Sequence, residues 1–388
     1  MTNLTLATRL NSLEESATLA LNARVKQLIA SGQTIYNLTA GELDSETPRH
    51  IQAAVAATLH LNKYTPVPGL PELRSAIATH ASVFYNTAFT PKQVVVTAGA
   101  KPALAAAFLA LLDPGDEIIV PTPSWVSYRH LIELAGGTQV SVPLTDSWDL
   151  NVPAIAAAIT PRTKAIIINS PHNPTGAVFS PASLRALAGA LAGKSIAVIA
   201  DDIYNKLTYE PGFKPITAYG FNPDHLVIIN GFSKSQGLTG WRIGYTITSP
   251  QLAAAITKLL SHVTGNAAVP SQHAALAALA KNDAPAMLPT LTKRRQIVTT
   301  ALAGIPGIKF VTPGGAFYIL LDVRSLTTDS TAWCEQLLAE AHVALVPGDA
   351  FDAPGFARLS FAASESTLSA ALQSLKTFVT ASKTVPKT

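Results

Sequence analysis

Asn230-Gly-Phe-Ser-Lys-Ser-Gln-Gly-Leu-Thr-Gly-Trp-Arg-Ile-Gly-Tyr245 is the stretch whose reading decides the fold. It follows a short apolar run, Leu226-Val-Ile-Ile229, that reads as a buried strand, so Lys234 and Arg242 emerge where a strand ends. Gly231, Ser233, Ser235 and Gly237 let a ligand approach the backbone, and Arg242, eight residues after the lysine, offers a planar fork suited to phosphate. Two plainer readings compete: surface charges beside a glycine-rich turn, or a phosphate loop. The stretch does not fit the G-x-x-x-x-G-K-[ST] spacing of the latter.

A lysine with a phosphate anchor suggests pyridoxal phosphate. Ser233-Lys234 followed by Thr239-Gly-Trp-Arg-Ile-Gly244 resembles the cofactor-lysine segment of class I aminotransferases of fold type I, most closely the bacterial aspartate aminotransferase subgroup, over nearly the whole chain. That resemblance implies an α/β fold: a mostly parallel seven-stranded sheet flanked by helices, with a smaller α+β domain. It divides the chain into an arm and part of the small domain (1–48), a large cofactor domain (49–285) and a C-terminal small domain (286–388).

The 388 residues are 48% hydrophobic and only 13% charged, which argues against disorder and for a surface that is uncharged or buried in an oligomer. The net charge of +4 is weak, and the basic run Lys293-Arg294-Arg295 lacks interleaved aromatics. It reads as a solvated helix face, with no nucleic acid implied. A lone Cys334 excludes an internal disulfide and a multi-cysteine metal site. No leader-like or membrane-spanning run is visible, so the expectation is a cytoplasmic protein with no membrane partner and no metal.

Working outward, apolar runs ending near 97, 120, 169, 200 and 229 read as buried strands separated mostly by helices, and ligand sites of open α/β sheets lie at such carboxyl ends. Gly99-Ala100-Lys101-Pro102 opens a helix, a ready anion site. Asp201 ends a strand, where a buried acid needs a cationic partner. Arg358 lies among small and apolar residues and needs an anion, either a ligand or a protein carboxylate.

The resemblance assigns roles. Lys234 carries pyridoxal 5′-phosphate and moves the substrate proton; Asp201 holds the pyridinium N–H; Asn173 and Tyr204 bond the phenolic oxygen; Trp125 stacks on the ring. Gly99, Ala100, Lys101 and Arg242 hold the phosphate, joined by Tyr64 from a second subunit of a homodimer, within a matching Lys63 to Arg74 segment. Gly231 stands where some relatives place a phosphate-binding serine, leaving that contact absent or to Ser233. Gly41 and Arg358 hold the substrate α-carboxylate, alongside Trp125 and Asn173, while Lys101 with Ser16 and Thr18 reads a distal carboxylate. Each alone has a plainer use as a turn glycine, core aromatic or solvated lysine. The set implies ping-pong transfer from L-aspartate to 2-oxoglutarate; alternatives are prephenate, aromatic amino acids, kynurenine or alanine as substrates. His172 receives no role.

Overall fold

The computed structural model describes residues 4–11, 13, 15, 17–281 and 287–382. The chain enters through a helix, Ala17–Ala30, and a two-residue strand β1 (Tyr36–Asn37). Seven strands then build the main sheet: β2 (Val94–Thr97), β3 (Glu117–Thr122), β4 (Thr138–Pro143), β5 (Thr163–Ile168), β6 (Ala197–Asp201), β7 (Leu226–Gly231) and β8 (Gly244–Ile247). Their spatial order is β2-β8-β7-β6-β5-β3-β4, and only β8 runs against its neighbours. Strands β2, β3, β5, β6 and β7 are buried at nearly every residue, as expected where helices cover both faces.

This is the mostly parallel seven-stranded sheet expected from the sequence, with two strands the sequence reading passed over. Strand β4 lies at the sheet's edge, where its residues are largely exposed and carry no apolar run. Strand β8 lies inside the Asn230 to Tyr245 stretch itself, returning along β7 after the lysine loop. Strand β6 extends one residue beyond the apolar run because Asp201 still pairs with Ile229.

A four-stranded sheet of order β12-β13-β10-β9 follows, from β9 (Lys309–Phe310), β10 (Tyr318–Asp322), β12 (Val346–Pro347) and β13 (Phe356–Ser360). Strand β11 (Val343–Ala344) leaves it to pair in parallel with β1. Its core gathers Leu291, Phe317, Leu359 and Leu375, and takes in Leu38 and Leu43 from the N-terminal region and Tyr204 from beyond β6. Two other cores cover opposite faces of the main sheet. Among the described residues no helix is long and apolar enough to cross a membrane.

The basic run at 293–295 departs from the expected solvated face. Lys293 is exposed and pairs with Glu365, but Arg294 is 6% exposed and forks onto Asp44, and Arg295 reaches the Pro313 carbonyl and Glu210. An arginine can be buried when most of its donors are met: Nη1 and Nη2 of Arg294 find two carboxylate oxygens and the Ala362 carbonyl, while its Nε has no partner among the described residues.

Candidate active site

The carboxyl ends of β2, β7 and the start of β8 meet at one glycine. Gly244 pairs with both Thr97 and Gly231, and a Cβ there would lie 2.6 Å from the Gly99 carbonyl carbon and 2.7 Å from the Ala100 nitrogen. Only hydrogen fits. Gly99 has φ 107°, and its own added Cβ would meet Nη2 of Arg242 at 2.5 Å, so the guanidinium lies against the start of the helix Ala100–Leu111. Arg242 is fixed there by a left-handed backbone (φ 49°) and an Nη1 bond to the Thr239 carbonyl at 2.8 Å. The free amides of a helix start and a guanidinium then face the same space, an arrangement suited to an anion such as phosphate.

Lys234 stands on the loop between β7 and β8, its Nζ donating to the Gly41 carbonyl. Burial lowers its pKa to about 8, Glu42 and Asp201 acting against the shift and Arg242 and Arg358 with it. Asp201, at the end of β6, is 4% exposed. Its Oδ2 accepts from the Tyr128 hydroxyl at 2.5 Å, while Oδ1 is buried with no partner among the described residues. Burial pushes its carboxyl up to about 6, despite the Tyr128 hydroxyl, the Ile203 backbone and the Lys234 charge. A carboxylate oxygen held dry and unpaired is costly unless a donor completes it.

Asn169 binds the end of β6 to the next loop: its Nδ2 donates to the Asp201 carbonyl at 2.7 Å and its Oδ1 accepts from the Asn173 amide at 2.9 Å. Asn173 Oδ1 in turn accepts from Nη1 of Arg358 at 3.0 Å, and Nη2 of Arg358 donates to the Thr39 carbonyl at 2.9 Å. Arg358 is 3% exposed and lies between the rings of Tyr318 (4.5 Å) and Phe351 (4.8 Å); its Nε is buried without a partner. No protein carboxylate pairs with it among the described residues, so of the two anions considered for it the protein's own is absent. The Tyr204 and Tyr318 hydroxyls lie 3.1 Å apart, and burial raises the pKa of both.

Residues drawn from across the sequence line one cavity of about 410 Å³. Lys234, Asp201, Tyr204, Asn173, Arg242 and Arg358 all reach it, as do Gly41, Ala100, Lys101, Trp125 and Thr18. The Lys101 ammonium lies 5.0 Å from the Trp125 ring, and its pKa is lowered by partial burial and by the charge of Arg242. Gly99 is outside the cavity lining and lies against the Arg242 guanidinium. Tyr64 is 97% exposed and lies outside the cavity lining, and Ser16 falls outside the described residues. His172 is buried, its Nδ1 2.8 Å from the Thr175 hydroxyl, and burial lowers its pKa to about 3.

Residues at this site that escaped the sequence reading include Tyr128, Asn169, Tyr318, Thr39 and Glu42. Tyr128 and Asn169 each had a signal, since both stand within or beside a segment already singled out at a strand end. Tyr318 lies in an apolar strand, where a buried hydroxyl needs a partner. Thr39 contributes only a carbonyl, for which side-chain type gives no sign.

Comparison with known proteins gives the family and the fold. The family model for aminotransferase class I and II matches residues 33–375. The aspartate aminotransferase of Thermotoga maritima is 42% identical over 96% of this chain and 98% of its own. The aspartate/prephenate aminotransferase of Thermus thermophilus is 38% identical over 95% and 97%. The solved Thermus thermophilus aspartate aminotransferase with maleate superposes with a TM-score of 0.92, at 37% identity, covering 97% of this chain and 100% of that one.

Proposed function

Because the chain belongs to the aminotransferase class I and II family, we propose that it transfers the amino group of L-aspartate to 2-oxoglutarate, giving oxaloacetate and L-glutamate, with pyridoxal 5′-phosphate as cofactor. The observation that carries the reading is Arg358: a buried guanidinium opening on the cavity, with no protein carboxylate to meet it. Such a charge is stabilised by an anionic ligand, and its fork fits an α-carboxylate.

The residues fit the cofactor on their own chemistry. The unpaired Asp201 Oδ1 is an acceptor for a pyridinium N–H, and the Arg242 guanidinium at the helix start is a phosphate seat, with Gly99, Ala100 and Lys101 supplying amides. Lys234 lines the same cavity, with an amine whose lowered pKa favours the nucleophilic form. When bound, the pyridoxal ring supplies an electron sink for the charge left as the α-proton departs.

In this reading Lys234 Nζ would hold the cofactor and its free amine would take the proton from the substrate α-carbon. Asp201 would hold the proton on the ring nitrogen. Asn173, whose Oδ1 is engaged by Arg358, offers its amide to the phenolic oxygen, and Tyr204 offers its hydroxyl. Trp125 covers the ring face. Arg358 and Gly41 seat the α-carboxylate; Lys101, with Thr18 and Ser16, meets the distal one. The exposed Tyr64 reaches the phosphate of a second copy in a homodimer, so each site is completed by its neighbour. The buried lone thiol of Cys334, its pKa pushed up to about 12, suits a reducing cytoplasm.

Prephenate remains the specific alternative acceptor, favoured by the name of the Thermus relative. The test is a half-reaction: aspartate, glutamate, alanine, phenylalanine and kynurenine are each mixed with the yellow cofactor-loaded protein and loss of colour is followed. Rapid loss with aspartate and glutamate, weakened by Lys101→Ala, is expected; prephenate and 2-oxoglutarate are then compared as acceptors. A protein that stays colourless after pyridoxal phosphate is added overturns the reading, and preference for another amino acid overturns the substrate.

A further inference from the structure

The buried member of the basic run stands outside the cavity but joins the two chain segments that form its carboxylate seat. Arg294, on the helix Leu288–Ala303, donates Nη1 to Asp44 Oδ1 at 2.8 Å and Nη2 to Asp44 Oδ2 at 2.7 Å. The same Nη1 donates to the Ala362 carbonyl at 2.7 Å. Asp44 lies three residues after Gly41, and Ala362 four residues after Arg358. Arg358 closes the ring by donating to the Thr39 carbonyl, two residues before Gly41.

The loop that bears Gly41 and the strand that bears Arg358 are therefore tied on both sides of the seat: before Gly41 by Arg358 on the Thr39 carbonyl and by the Ser360 amide on the Leu38 carbonyl at 2.9 Å, and after it, among these ties, by the Arg294 fork alone. The rest of the loop is held to the lysine segment, through Lys234 on the Gly41 carbonyl, Thr239 on Glu42 at 3.3 Å and Trp241 on Thr47 at 2.9 Å. Without the Arg294 fork the loop would keep its ties to the main sheet and lose a side-chain tie to the domain that carries Arg358. The pair is buried on its arginine side and open to solvent at Asp44, and an ion pair screened in this way adds little to stability, so its use here is directional.

We propose that Arg294 and Asp44 are positioning residues for the substrate α-carboxylate, their ion pair setting Gly41 at its working distance from Arg358. This rests on the reading of Gly41 and Arg358 as the carboxylate seat.

The test uses the cofactor-loaded enzyme and three variants: Asp44→Asn, the neutral pair Asp44→Asn with Arg294→Met, and Arg358→Lys. Succinate, a dicarboxylate without an amino group, is titrated calorimetrically; KM and kcat for aspartate, cofactor affinity and Tm are measured alongside. The Asp44 side chain is 41% exposed, so the fold tolerates the first change. Asp44→Asn is expected to weaken succinate and raise KM about tenfold, with kcat and cofactor affinity within about twofold of the parent. The neutral pair regains Tm and not succinate affinity, whereas a merely structural pair would regain both. Unchanged succinate affinity in Asp44→Asn, or its recovery together with Tm in the neutral pair, overturns the proposal. If Arg358→Lys also leaves succinate binding intact, the seat itself is misassigned; if Arg358→Lys weakens it and Asp44→Asn does not, only the positioning role falls.

Discussion

Arg358 and Asn173, 185 residues apart in the chain, are joined by a 3.0 Å bond from Nη1 to Oδ1 that carries a full charge on one side only. The guanidinium is thus held in place without being neutralised. Asn173→Asp would supply the missing carboxylate within the protein. We expect KM for aspartate to rise at least about tenfold, because substrate must then compete for a charge-assisted pair worth about 1.5–3 kcal/mol. Steady-state kinetics on the variant check this; an unchanged KM would separate Arg358 from substrate binding.

Much of this cavity was legible because its charges interrupt apolar strands. Asp201 ends Ala197–Asp201 and Lys234 follows Leu226–Gly231, and a charge placed there has no reason in packing alone. The second layer was less legible. Arg294 looked like its neighbours Lys293 and Arg295 because nothing local marks the one that is buried; its partner, Asp44, is 250 residues away. Strand β4 is marked only by the short alternation of Val140, Val142 and Leu144 and has no continuous apolar run, and β8 lies inside the glycine-rich stretch that the reading took as a ligand loop.

Asp201 presents one satisfied oxygen and one orphan, so Asp201→Asn keeps the Tyr128 contact and removes the charge facing the cavity. The expected result is a fall in kcat of at least about a hundredfold with the cofactor still bound, the scale on which single preorganised groups act. Absorbance of the purified variant and single-turnover rates distinguish this from simple loss of cofactor.

Asp202 points away from the cavity and accepts from the Tyr85 hydroxyl at 2.7 Å, with Asn205 donating to the same hydroxyl at 3.1 Å. Burial raises its pKa to about 7; the Tyr85 bond opposes this and the charge of Asp201 adds to it. Between the unfolded carboxyl value of about 4 and the folded value, the native chain holds a proton that the unfolded chain has released, so stability falls as pH rises through that window. Asp202→Asn does not titrate and should gain Tm relative to the parent from about pH 4 to about pH 7, with the gap level above. Melting curves across that range measure it; a pH-independent gap contradicts the shift.

Thr246, on β8 between Val95 and Ile229, is wholly buried and its hydroxyl has no partner among the described residues. Thr246→Val keeps the shape and removes the unpaired group, for an expected gain of about 1 kcal/mol. Denaturant unfolding should show a higher midpoint at unchanged slope. A loss of stability would mean that the hydroxyl has a water partner.

The lysine itself sets the last expectation. Its amine is a nucleophile only when neutral, and with a pKa lowered to about 8 it gains that form well below the range of a free lysine. Capture of pyridoxal phosphate by the cofactor-free protein should therefore quicken as pH rises from about 6 and level off above about 8. After burial the largest influence is Glu42, whose negative charge favours the ammonium form and so holds the pKa up. Glu42→Gln keeps an acceptor for Thr239 and removes that charge, so the midpoint of the pH profile should move to lower pH. Stopped-flow absorbance reads both profiles; a midpoint that stays fixed or rises in Glu42→Gln would show that Glu42 does not act on Lys234.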